Sequence, residues 1–169
     1  MSENQLPADL VSLWSEYPDG MERALQWLRE MVEHTYAGRQ VSINQPGDVA
    51  SLFLYEMSAL EEEHLRVLLL DTRHHIVKVH EVAKGDVAAV QIRMAEVFRE
   101  AVRVGAAALI LVHNHPSGDP TPSPDDVRLT EAAVEAGRLL NIHVEDHLVI
   151  GGGRYVSIRQ EYPLLGWPT

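Results

Sequence analysis

Two histidines, His113 and His115, stand two residues apart, and a loop rich in Pro, Gly, Ser and Thr leads from them to Ser123-Pro124-Asp125-Asp126. In an extended chain, residues i and i+2 point to one face at a spacing of roughly 6.5 to 7 Å, so both imidazoles can converge on a single ion. Pro116 biases His115 toward the same extended conformation before the chain turns at Ser117-Gly118-Asp119-Pro120. Ser123 as N-cap, Pro124 as first helical residue and Asp126 at the third position make an ordinary helix start. The helix N-terminus keeps Asp126 ionised, which is the form a divalent cation requires. With no cysteine in the chain, thiolate ligands and thiolate nucleophiles are excluded, and the residues describe a nitrogen- and oxygen-ligated divalent metal site.

The remaining histidines are weaker candidates. His34, His64, His74, His75 and His80 lack ligand-type company at suitable spacing. His143 and His147 fall on a later strand. His147, beside Asp146, reads either as a partner standing behind the ligands or as a satisfied core or edge histidine.

The elements that must carry these groups follow from apolar periodicity. Leu6, Leu10, Leu13, Trp14 and Tyr17 form a short amphipathic helix that stops at Pro18, and Asp19 to Gly38 contains a second, with Met21, Ala24, Leu25, Leu28, Met31, Val32 and Tyr36 in one stripe. This pair reads as an extension, residues 1–40, that packs on the main domain or on a second subunit, or serves as a binding module. Residues 41–169 read as an α/β domain. There Asp48 can cap a helix through Leu60, His64 to Asp71 is a strand apolar on both faces in its last half, and Ile76 to Val82 returns antiparallel after Thr72-Arg73-His74. A helix from Arg93 to Val104 is closed by Gly105. Ala106 to Val112, uniformly apolar, is a strand covered on both faces that delivers the chain to His113. A helix through Leu140, a strand from Ile142 to Ile150, a turn at Gly151-Gly152-Gly153 and a last strand Tyr155 to Ile158 complete the chain.

Composition bounds the function. With 169 residues and 46% hydrophobic content, the chain is long enough to bury about 70% of its unfolded surface, so a metal is not needed merely to hold the fold. Fourteen basic against twenty-five acidic residues give a net charge of −11, which disfavours a nucleic-acid partner. Arg93, Arg99 and Arg103 at near-helical spacing read as a solvated helix face. The polar start Met1-Ser2-Glu3-Asn4-Gln5 is unlike a signal peptide, and the apolar run Ala106 to Val112 is too short to span a bilayer, so the expected location is the cytoplasm.

His113-x-His115, seven residues, then Ser123-x-x-Asp126 matches the JAMM signature of MPN/JAB metalloproteases. The setting Leu109-Ile-Leu-Val-His-Asn-His-Pro-Ser-Gly-Asp-Pro-Thr-Pro-Ser resembles bacterial RadC proteins. The resemblance runs from about Ile43 to the C-terminus and includes Leu68 to Arg73, Glu96 to Ala101 and Asp146 to Gly151. It implies an MPN/JAB, cytidine-deaminase-like three-layer fold, a mixed sheet flanked by helices. It further implies a zinc ion held by His113, His115 and Asp126, a glutamate general base, and Ser123 as oxyanion stabiliser. Glu63, just before the first strand, fits the place of that glutamate, with Glu61 and Glu62 as alternatives one or two residues out of register.

The implied activity is zinc-dependent hydrolysis of a peptide or isopeptide bond in a protein or peptide substrate. The alternative is a noncatalytic zinc-containing module associated with DNA, as the RadC name suggests. A homo-oligomer formed through the N-terminal helices is a further expectation. After Gly85 the chain departs from the resemblance. Asp86-Val87-Ala88-Ala89-Val90 stands where RadC-like chains carry polar Asn and Ser residues, a change that bears on substrate contacts and leaves the metal ligands untouched.

Overall fold

The computed structural model describes residues 41–85 and 92–168. The expected N-terminal helices and the Asp86–Val90 departure lie outside the described residues. Within Val41–Thr169, a five-stranded sheet runs in the order β2-β1-β3-β4-β5. The strands are β1 (His64–Leu70), β2 (Ile76–Lys84), β3 (Ala108–Asn114), β4 (His143–Gly151) and β5 (Arg154–Ser157). The helices are α1 (Pro46–Ser58), α2 (Met94–Val104), α3 (Pro124–Leu140) and the single turn α4 (Ile158–Glu161). The sheet is mixed. Strand β1 is antiparallel to β2 and β3, β4 is antiparallel to β5, and the α3 crossover makes β3 and β4 parallel.

Helices cover both faces, giving the three layers that the resemblance implies. On one face Leu65, Val67, Leu69, Leu109 and Leu111 pack with Val97 and Phe98 of α2 and Ala133 and Val134 of α3. On the other, Leu68, Leu70, Ile110 and Val112 pack with Val49, Phe53 and Met57 of α1. Double-sided burial explains why β1 and β3 are buried along their whole length and carry almost no polar alternation.

Several boundaries differ from the sequence expectation for local reasons. Asp48 is the third residue of α1 and Gln45 is its N-cap; the Asp48 carboxylate accepts the Asn44 and Gln45 N–H groups at 2.9 and 3.1 Å, the reciprocal half of a capping box. Strand β3 starts at Ala108 instead of Ala106, because the Ala106 N–H is still engaged by the Ala101 carbonyl in the cap that closes α2, with Gly105 left-handed at φ 68°. Ile158 leaves the expected hairpin, since the Ser157 hydroxyl oxygen accepts the Gln160 N–H and starts α4. In β4, Leu109 faces Val144 but Ile110 faces Asp146, so Glu145 is an extra residue that reverses the facing of everything after it. Among the described residues, no helix is long and apolar enough to cross a membrane.

Near the end of α3, Gly137 packs against the segment that enters β4: a Cβ there would lie 2.5 Å from the Ile142 carbonyl oxygen and 3.2 Å from the Val144 side chain. Alanine is the better helix former by about 1 kcal/mol, but a backbone oxygen at that distance cannot yield without moving the strand. Gly137→Ala is therefore expected to destabilise the domain by about 1–3 kcal/mol, read as a lower denaturant midpoint.

Candidate metal centre

The site forms where β3 ends and α3 begins. Strand β3 carries His113, and the His115 N–H, donating to the Ile150 carbonyl at 2.8 Å, keeps the second histidine in line with the sheet. The loop from Pro116 to Pro122 then returns the chain to Ser123. Ser123 caps α3, with its hydroxyl oxygen accepting the Asp126 N–H at 3.2 Å while the Asp126 carboxylate accepts the Ser123 N–H at 2.7 Å. This reciprocal cap turns Asp126 back toward the histidines.

Three side chains thereby meet. His113 Nε2 and His115 Nε2 lie 2.9 Å apart, Asp126 Oδ1 is 3.1 Å from His113 Nε2, and Asp126 Oδ2 is 3.3 Å from His115 Nε2. Ligand atoms on a tetrahedron with metal bonds of about 2.0–2.1 Å would stand about 3.3–3.4 Å apart, and the two Nε2 atoms, each with the carboxylate oxygen nearest to it, are spaced close to that. The three residues could hold a metal ion. The donor set of two imidazoles and a carboxylate suits zinc and neighbouring divalent metals, and three protein ligands leave a position open.

The hydrogen bonds behind the ligands decide which nitrogens are available. The Thr130 hydroxyl donates to the Asp126 carbonyl at 2.6 Å, so its oxygen, 2.7 Å from His147 Nδ1, must accept there. His147 then carries its hydrogen on Nδ1, leaving Nε2 to accept from His113 Nδ1 at 2.8 Å. The His113 hydrogen is thus on Nδ1 and its Nε2 lone pair faces Asp126 and His115. His115 reaches the same state by another route, its Nδ1 donating to the Asp119 carbonyl at 2.8 Å. Both histidines thus turn an unprotonated Nε2 toward Asp126, available to a cation, with their Nδ1 groups held by partners of the kind that metal-binding imidazoles use.

Electrostatics agrees with this arrangement. Burial depresses the His147 pKa well below the usual histidine range, and the nearby His113 depresses it further, so His147 is neutral. For Asp126, burial pushes the pKa up, but contacts with His113, His115 and Ser123 outweigh it and hold the group well below the usual carboxylate range; the histidine part of that shift requires a hydrogen on Nε2, and so belongs to protonated imidazoles in the place a cation would take. His115 is raised, first by the contact with Asp126, with burial opposing; Glu63 contributes to the same rise.

The loop that supplies the Asp119 carbonyl rests on the β4–β5 turn. A Cβ on Gly151 would lie 2.9 Å from backbone atoms of Gly118, Asp119 and Pro120, and one on Gly152 would lie 2.6 Å from the Gly118 oxygen. Two glycines of the triple-glycine turn therefore admit the loop that orients His115.

Glu63 immediately precedes β1 and is half-buried, while Glu61 and Glu62 are exposed. Leu65 and His113 are the last pair of the antiparallel β1–β3 register, and Glu63 and His115 follow two residues further along each chain; Glu63 is close enough to contribute to the raised pKa of His115. The Ser123 hydroxyl donates to Asp126 Oδ2 at 2.7 Å, so donation to an oxyanion would require that hydrogen to turn away from the carboxylate.

Two contributors were missed in the sequence. Thr130 sits one helical turn after Asp126, a spacing that could have marked it, whereas nothing in the local sequence marks the Asp119 carbonyl. Of the two readings left open for His147, the structure shows it fully buried and hydrogen-bonded behind His113.

Residues 43–163 match the RadC-like JAB domain family. A UPF0758 protein of Chloroflexus aggregans is 52% identical over 132 residues, covering 78% of this chain and 56% of its own. Those of Chloroflexus aurantiacus and Clostridium perfringens are 54% and 43% identical, over 70% and 72% of this chain and 52% and 54% of theirs. The chain thus spans about half the length of the curated relatives it matches.

Purified wild type is expected to carry a stoichiometric divalent ion, measured by atomic absorption, and Asp126→Ala to lose it. A wild type without such an ion would remove the metal centre altogether. Thr130→Val keeps the shape of the site but leaves the buried His147 Nδ1–H without its acceptor. Metal affinity, read by competition with a chromophoric chelator, is expected to fall about 10–100-fold.

Proposed function

Since this chain belongs to the RadC-like JAB domain family, we propose that it is a zinc-dependent hydrolase of the JAMM type, cleaving a peptide or isopeptide bond in a protein or peptide. The observation that carries the proposal is the convergence of the two Nε2 lone pairs on Asp126, and the contribution of Glu63 to the raised pKa of His115 supports putting the base beside them. Zinc is the proposed ion, held by His113, His115 and Asp126, and when bound it would supply Lewis acidity and lower the pKa of a water in its open position.

Each residue then has a defined task. Glu63 takes the proton of the attacking water and passes it to the departing amine, so that the bond is hydrolysed without a covalent enzyme intermediate. Ser123, turning its hydroxyl hydrogen from Asp126 toward the substrate carbonyl, donates to the oxyanion as charge develops there. Thr130 and His147 keep the His113 proton on Nδ1, away from the reacting face.

The charge distribution supports this reading over a DNA-binding module. Arg93 and Arg99 share Glu96, and Arg103 is paired with Glu100, so the basic stripe on α2 is largely offset by its own helix. A chain with a net charge of −11 and no free stripe there has little to offer a phosphate backbone.

Glu63→Gln is expected to retain one metal ion per chain while losing about 10²–10⁴-fold in the rate of cleavage across a panel of peptide and isopeptide substrates. A Gln variant that cleaves at the wild-type rate would remove Glu63 from the base role.

A further inference from the structure

Asn114 lies between the two candidate ligands, and strand alternation turns its side chain away from the imidazole face. It is 1% exposed, so its amide must be satisfied inside the protein. Its Oδ1 accepts the His64 N–H at 2.8 Å and its Nδ2 donates to the Glu62 carbonyl at 3.0 Å. Because one partner is a donor and the other an acceptor, only this orientation of the amide satisfies both.

These two backbone groups flank Glu63. The Glu62 carbonyl belongs to the peptide bond entering it, and the His64 N–H to the one leaving it. The β1–β3 register ends at Leu65 and His113, so the Asn114 amide takes the place of ladder bonds one step further along. On the other side, the Gly85 N–H donates to the Glu63 carbonyl at 2.9 Å. Glu63 lies just outside a regular strand, yet its backbone is gripped from both neighbours.

We propose that Asn114 is the positioning residue for Glu63, using one side-chain amide to lock both peptide bonds of the base to the strand that carries the metal ligands. This rests on reading Glu63 as the general base. The residue type follows from the task. Aspartate can accept from His64 but cannot donate to Glu62, alanine does neither, and glutamine would carry its amide one methylene too far.

The test uses the full chain loaded with cobalt(II) and reads two quantities besides cleavage. The first is hydrogen exchange of the His64 amide by NMR, expected to be roughly tenfold or more faster in Asn114→Ala, with metal stoichiometry unchanged. Asn114→Asp, which keeps the acceptor, should leave that amide slow. The second is the pH profile of the cobalt visible absorption. Both Asn114 variants should shift it in the direction that Glu63→Gln does, Asp less than Ala, and Asn114→Ala combined with Glu63→Gln should shift it no further than Glu63→Gln alone.

Unchanged His64 exchange in Asn114→Ala overturns the assignment. So does an unshifted cobalt profile in the Asn114 variants when Glu63→Gln shifts it. If Glu63→Gln itself leaves the profile unmoved, the base reading fails and the positioning role falls with it. Should the Ala variant not fold, the cobalt profile of Asn114→Asp decides alone, a shift supporting the assignment and its absence overturning it.

Discussion

The buried hydrogen bond from His113 Nδ1 to His147 Nε2 is the constraint on which the rest of the site depends. An imidazole can offer a lone pair to a cation only from a nitrogen that carries no proton, and burial makes the wrong tautomer costly to correct. The direction of this bond is set two residues away, by a threonine hydroxyl whose hydrogen is already given to the Asp126 carbonyl. That carbonyl belongs to the residue whose carboxylate faces the histidines. The first turn of α3 therefore provides an anionic group and, through Thr130 and His147, the protonation state of the histidine opposite it.

The scaffold makes such precision possible because the candidate ligands rise from a sheet core closed on both faces. His113 continues a strand whose preceding residues are packed between α1 on one side and α2 and α3 on the other, so its backbone has little freedom. Rigidity is passed to the looser parts of the site by single contacts. The Asp119 carbonyl, held by a loop seated on two turn glycines, fixes His115, and the reciprocal cap between Ser123 and Asp126 fixes the carboxylate. Each contact uses a backbone group that its segment would otherwise have to satisfy in another way.

Much of this was legible in the chain before any coordinates. The apolar runs around Leu68 and Ile110 mark strands buried on both sides, and the helical period from Val127 to Leu140 marks the crossover that brings β4 beside β3. Ser123-Pro124-Asp125-Asp126 marks a helix start that also aims a carboxylate. Boundaries were less legible at Ala106 and Asp48, where a helix cap extends into the neighbouring segment by hydrogen bonds that period-counting does not see. The readings of residues 1–40 and 86–90 concern segments that the structure does not describe.

What the sequence alone determined is local: two histidines at strand spacing, the proline that keeps the second extended, and the capping box that presents Asp126. These depend on backbone geometry within a few residues, so spacing and residue type suffice. What only the tertiary structure decided is how distant segments are brought into phase. The pairing of Leu65 with His113 sets the phase between the strand that follows three consecutive glutamates and the strand that carries the two histidines. The extra residue at Glu145 reverses the alternation of β4, turning His147 toward His113 and sending Asp146 to the opposite face, where it accepts from Ser157. A strand's period of two makes either facing available to the same residues, and a single bulge or a one-residue change of register chooses between them.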